Sequence, residues 1–159
     1  MTTARFLTGV FVAAIVTLPV TAFASEIQLA SVSAHLFLQG AGTFTDDVTA
    51  MRGFGARNFV PFADGYDFGK DKFHSVLIKL LFTAHDEEYE KGQVAQLTVI
   101  DSDTGKPVLK RIIRGLYIGP GGRTTVPVLI TDHECHGWLI KVTSGSTTIQ
   151  KELGFTCGE

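Results

Sequence analysis

Trp138-Leu139-Ile140-Lys141-Val142-Thr143-Ser144-Gly145-Ser146-Thr147-Thr148-Ile149-Gln150-Lys151-Glu152-Leu153 is the stretch that decides the fold class. Before Gly145, the residues Trp138, Ile140 and Val142 alternate with Leu139, Lys141 and Thr143. After it, Ile149, Lys151 and Leu153 alternate with Gln150 and Glu152. A period of two belongs to a strand and not to a helix. Gly145-Ser146 supplies the turn, because glycine in the first central position of a type II′ loop takes a positive φ without steric cost. The register follows from the two-residue loop. Val142 faces Ile149, Ile140 faces Lys151 and Trp138 faces Leu153, giving one mostly apolar face, while Lys141 faces Gln150 and Thr143 faces Thr148.

Extended outward, this register puts Cys135 opposite Thr156 and Cys157 opposite Glu134, so the two sulfur atoms start on opposite faces. A bulge at His136 or Gly137 would remove the offset of one residue. Cys135 and Cys157 would then close the open end of the hairpin as a disulfide around a loop of about 23 residues, a constraint of roughly 3 kcal/mol on the unfolded chain.

The other end of the chain sets the compartment. Residues 1–24 carry Arg5, an apolar run from Phe6 to Val20, and Ala22-Phe23-Ala24, the small-x-small pattern of a signal-peptidase site. The run is too short for a comfortable span, and Pro19 near its end suits a cleaved signal peptide. The expectation is a periplasmic or secreted protein with no membrane span after cleavage, and residues 25–159 forming a single domain. In that compartment two cysteines are read as a structural disulfide. Removing the signal takes away only Arg5, so the 14 basic residues become 13 against 16 acidic ones. So small a net charge argues against nucleic acid or an anionic membrane as a partner held by bulk charge.

Between these ends, Ile27 to Gln39 reads as a first strand with Val32, Ala34, Leu36 and Leu38 on one side. Ser75 to Ala84 is the most apolar strand of the mature chain and is expected at the centre of a sheet. His85 to Gly92 reads as a solvated acidic loop. Gln93–Asp101 and Val108–Leu116 form a second hairpin around Ser102 to Lys106, and Thr124 to Thr131 leads into the terminal hairpin. Seven strands without a long helix predict an antiparallel β-sandwich, immunoglobulin-like in architecture, with a small β-barrel as the alternative.

The segment from Gly40 to His74 lacks sustained periodicity. It is rich in glycine and carries Phe44, Phe54, Phe59, Phe62, Tyr66, Phe68 and Phe73, with a helical turn expected around Asp46 to Met51 capped by Thr45. A loop this long is either functional or hides an element. Exposed aromatics with charged neighbours are the chemistry of a binding surface, so Phe54, Arg57, Phe59, Phe62, Tyr66 and Phe68 are the candidate contacts for a protein or small ligand. At least half of the phenylalanines are expected to tuck back over the sheet, with Tyr66 the most exposed ring.

Other chemistry clusters at Asp132-His133-Glu134-Cys135-His136. Imidazole and carboxylate are metal donors, and His133, Glu134 and His136 are candidate ligands for copper or zinc. Asp101 and Asp103 resemble the start of a calcium loop but the glycine falls one place early and the twelfth position is Ile112. Asp64, Asp67 and Asp71 form a second acidic group without the required ligand order. No Gly-x-Ser-x-Gly elbow or phosphate-loop ending occurs, so nothing assigns a catalytic residue. The sequence therefore points to a noncatalytic binding or structural role without a resident cofactor, with a periplasmic transition-metal-binding protein as the alternative.

Overall fold

Alternating side chains require two apolar layers, and the chain supplies both. The structure is a computed structural model, and it describes residues 27–131 and 136–156. In chain order the strands are β1 Gln28–Leu38, β2 Thr43–Phe44, β3 Gly55–Arg57, β4 Val60–Phe62, β5 Phe73–Thr83, β6 Glu88–Asp101, β7 Pro107–Ile118, β8 Arg123–Thr131, β9 Trp138–Ser144, β10 Thr147–Leu153 and β11 Phe155–Thr156. One sheet has the order β2-β1-β5-β8 and the second β10-β9-β6-β7. They are separate hydrogen-bonded layers of antiparallel strands over one apolar core, an all-β sandwich or barrel-like fold. A small third sheet, β11-β3-β4, lies outside these two layers.

Each layer turns one set of alternate residues inward. Val32, Ala34 and Leu36 of β1 and Phe73, Val76, Ile78, Leu80 and Phe82 of β5 are buried against Leu97 and Val99 of β6, Ile113, Leu116 and Ile118 of β7, and Trp138, Ile140 and Val142 of β9. β5 is the interior strand of its sheet, paired on one side with β1 and on the other with β8. The terminal hairpin adopts the expected register throughout, from Thr143↔Thr148 to Trp138↔Leu153. Gly145 has φ +54° while Ser146 is not in the left-handed region, as a type II′ loop requires.

Three expectations are corrected. The acidic loop is shorter than its sequence suggests, because β6 begins at Glu88 and pairs Glu88↔Ile118 and Tyr89↔Tyr117 before two irregularities around Gln93. β8 leads in chain order into the terminal hairpin, as expected, and pairs with β5 in the other layer, with Val128 facing Ile78. The helical turn is a single 3-10 turn, Val48–Ala50, and its cap is Asp47. Thr45 instead accepts a bond from the Leu36 amide, and Asp47 also accepts one from Ala34, so the two side chains cover the open edge of β1. The hairpin register also stops at Leu153. After Gly154 the chain leaves β9 and Phe155–Thr156 pairs parallel with Ala56 and Arg57, so among the described residues the ladder does not extend past Trp138↔Leu153. Cys135 and Cys157 lie outside the described residues, as does the expected signal peptide.

Antiparallel order brings four connections to one pole of the sandwich. They are the β1–β5 segment, the β6–β7 turn, the residues just before β9 and the chain after β10. Every candidate site residue named above that the structure describes stands at this pole.

Candidate functional site at the aromatic pole

The β1–β5 segment is closed at its neck. Gln39 donates to the Lys72 carbonyl at 2.9 Å, and the Asp71 carboxylate accepts from the Gly40 and Ala41 amides at 2.7 and 2.8 Å. Those N–H donors stabilise the ionised form and lower the Asp71 pKa, with burial opposing them. Beyond the neck, Arg57-Asn58-Phe59-Val60 turns β3 into β4 with φ +50° at Asn58 and +64° at Phe59, the pattern of a type I′ hairpin. A phenylalanine in this region is strained. It is held by its ring, 4.6 Å from His74 and 6.1 Å from Phe73, and by its carbonyl, which accepts the Phe73 amide at 3.1 Å.

Phe155 anchors the small sheet to the sandwich. Its ring meets Phe73 at 5.3 Å, Trp138 at 5.7 Å and Phe54 at 6.2 Å, while Ala56 and Asn58 donate to the carbonyls of Gly154 and Thr156. A period of two then sorts the small sheet's side chains. Ala56, Pro61 and Phe155 face inward and are buried. Gly55, Arg57, Val60 and Phe62 share the outer face, with Gly55 paired to Phe62 and Arg57 to Val60. Gly55 lets the Phe62 ring lie close over the sheet, since a Cβ there would stand 2.6 Å from the ring and displace it.

The six binding candidates therefore divide. Phe54, Phe59 and Phe68 are half-buried against the core and act as its cap. Arg57, Phe62 and Tyr66 face solvent, and Phe62 at 54% exposure exceeds Tyr66 at 48%, reversing the expected order. Tyr66 is fixed by a turn from Ala63 and lies parallel to Phe68, ring centroids 6.0 Å apart. Arg52 and Asp64 pair at 3.6 Å, but both are so exposed that the pair adds little stability. Sequence reasoning missed Phe155 and Trp138 as the anchors of this segment. Phe155 does continue the alternation Ile149, Lys151, Leu153, but nothing local names β3 as its partner.

A second cluster stands at the same pole. β6 pairs with β9 through Asp101↔Trp138, and Ser102 donates to the Gly137 carbonyl at 2.8 Å. Carrying that register on by two residues sets Asp103 opposite His136, whose Nδ1 lies 2.9 Å from Asp103 Oδ2. One ligand atom from each of Asp101, Asp103 and His136 falls within 4.8 Å of the others. Asp101 is buried, and its Oδ1 accepts from the Asp103 and Thr104 amides at 2.8 and 2.9 Å. The Thr104 amide, then that of Asp103, and the nearby His136 lower its pKa against burial. The predicted ligands His133 and Glu134 lie outside the described residues.

Among the described residues this is the only convergent group of three such donors. Asp64, Asp67 and Asp71 do not converge; they serve Arg52, the Gly69 amide and the segment's neck. No helix among the described residues is long and apolar enough to cross a membrane. No protein-family model matches the chain, and no curated protein is detectably similar to it in sequence.

Proposed function

We propose that the chain is an exported, periplasmic or secreted, noncatalytic binding module, stapled by Cys135–Cys157, that recognises a partner through the outer face of its small sheet. One observation carries this reading. Phe62, Val60 and Arg57 share a solvent-facing side of a sheet whose other side is pinned into the core by Phe155. A rigid aromatic and a guanidinium are the residue types that anchor interfaces, because they bury much area while losing little side-chain freedom. The strain at Phe59 supports the same reading, since the packing spent on holding that turn fixes the direction of β4.

A photo-cross-linking residue in place of Phe62, in the cells that export the protein, tests it. A discrete adduct from that position, and none from Thr125 on the far face of the sandwich, is the expected result. No adduct, or the same adducts from both positions, would sink the proposal.

The convergence of Asp101, Asp103 and His136 favours a second reading, a transition-metal-binding protein. Two carboxylates and one imidazole suit zinc or copper. Native mass spectrometry of the chain purified without chelator should then show a mass gain of one metal ion that His136→Gln removes. A metal-free mass for the unsubstituted chain would end this reading and leave the first untouched.

A further inference from the structure

The near-balance of charge over the whole chain conceals a segregation. On the outer face of the second layer Lys110, Arg114 and Lys141 stand against Glu152, while Arg111 and Lys151, paired with the buried Leu97 and Ile140, belong to the opposite set of alternate residues. None of these cations has a carboxylate within 4.0 Å among the described residues. Edge strands often carry lysine to block pairing with other chains, which accounts for β7. It does not account for Lys141, which lies on β9 between β6 and β10.

The register resolves the outer face of this layer into rows. Lys110, Thr98, Lys141 and Gln150 face one another across all four strands, and Ile112, Gln96, Thr143 and Thr148 form the next row. Lys110 and Lys141 are thus two strand spacings apart, about 10 Å. Beside Lys141 opens a shallow hollow of about 480 Å³ lined by Gln93, Gln96, Thr98, Ile100, Lys141 and Thr143, among others, and Lys110 stands across from Thr98 just outside that lining. Arg114 pairs with Gln93 at its rim. The lining mixes the amides and hydroxyls of Gln93, Gln96, Thr98 and Thr143 with the apolar Val94, Ala95 and Ile100, and Lys141 is its one charged member. Glu90 stands beyond Gln93, and its carboxylate is engaged by the Gly92 amide at 2.7 Å.

We infer that this face binds an acidic polysaccharide, with sugar hydroxyls on Gln96, Thr98 and Thr143 and sugar carboxylates on Lys110 and Lys141. Charge complementarity to Lys110, Arg114 and Lys141 sets the sign of the ligand, and the amides and hydroxyls of Gln96, Thr98 and Thr143, with the apolar patch of Ile100 beside them, set its class. A single-stranded nucleic acid would need rings on which bases stack, and the two rows carry none. A membrane surface would meet a hollow where it needs a convex apolar face. The surface is separate from the small sheet and does not depend on the reading given to Phe62.

The test uses the full exported chain and affinity electrophoresis through polygalacturonate, with neutral dextran, a single-stranded oligonucleotide and phosphatidylglycerol vesicles as competing probes. Polygalacturonate should retard the protein, and retardation should persist at about 0.15 M salt. Lys110→Gln with Lys141→Gln should weaken it about tenfold, and Gln96→Ala with Thr98→Ala should weaken it without changing its salt dependence. Lys79→Gln, on the other layer, should leave it unchanged, as should Phe62→Ser. If the double lysine variant loses its β circular dichroism, Lys141→Gln alone serves. Absence of retardation, equal binding of dextran, preference for the oligonucleotide or the vesicles, or indifference to the lysine substitutions would each overturn the inference.

Discussion

The terminal hairpin and the β1–β5 segment are similar in importance and opposite in legibility. In β9–β10 every cross-strand partner is within sixteen residues of its mate, so alternation and one turn glycine specify the register completely. In the segment the decisive partners are remote: Ala56 pairs with Phe155, Gly40 with Asp71, and Phe54 with Phe155. Its strands are two or three residues long, too short to show a period. Local pattern can announce a structure only where the structure is local.

The largest effect should come from where the two regions share a core. Trp138→Ala removes a buried indole that packs on both the hairpin and Phe155. It should lower the stability of the whole molecule by about 4 kcal/mol in urea denaturation. Phe155→Ala should cost about 3 kcal/mol and act unevenly, because its ring also holds Phe54 and Phe73. Amides of β3 should then exchange faster relative to those of β9 than they do in the unsubstituted protein. A uniform change in both would show that the small sheet has no separate attachment.

Gly145→Ala probes the legible region alone. A side chain at φ +54° should cost roughly 1 kcal/mol, read as a shifted denaturation midpoint with an unchanged slope. The smallest effect belongs to the neck. The folded Asp71 pKa lies below the ordinary aspartate value, so its contribution is fully present above about pH 4 and is lost as pH falls through the lower folded value. Amide exchange at Gly40 and Ala41 should accelerate over that window, and Asp71→Asn should show the faster exchange already at pH 7.

Much of the fold was legible in particular residues. Val76, Ile78, Leu80 and Phe82 marked a central strand because burial on one face of a sheet forces alternation. Glu88 to Gln93 was not legible, since charged residues on a protruding hairpin look the same as a loop. The candidate sites were legible in pieces. Phe62, Tyr66 and Arg57 were identified by type, but the packing of Phe54, Phe59 and Phe68 depends on Phe155 and the core. Asp101, Asp103 and His136 each drew attention, and only the β6–β9 pairing brings them together. Their convergence is a property of topology, which a linear pattern does not contain.

Only a small sheet docked on the sandwich as a fixed platform holds Phe62 and Arg57 ready for a partner. Native-state hydrogen exchange at the Ala56 and Asn58 amides, which bond to the Gly154 and Thr156 carbonyls, tests that docking directly. A docked small sheet gives protection within about tenfold of the β9 amides, an opening cost lower by no more than roughly 1.4 kcal/mol. Exchange at the rate of an unstructured chain would contradict it and would leave the aromatic pole without a preorganised surface.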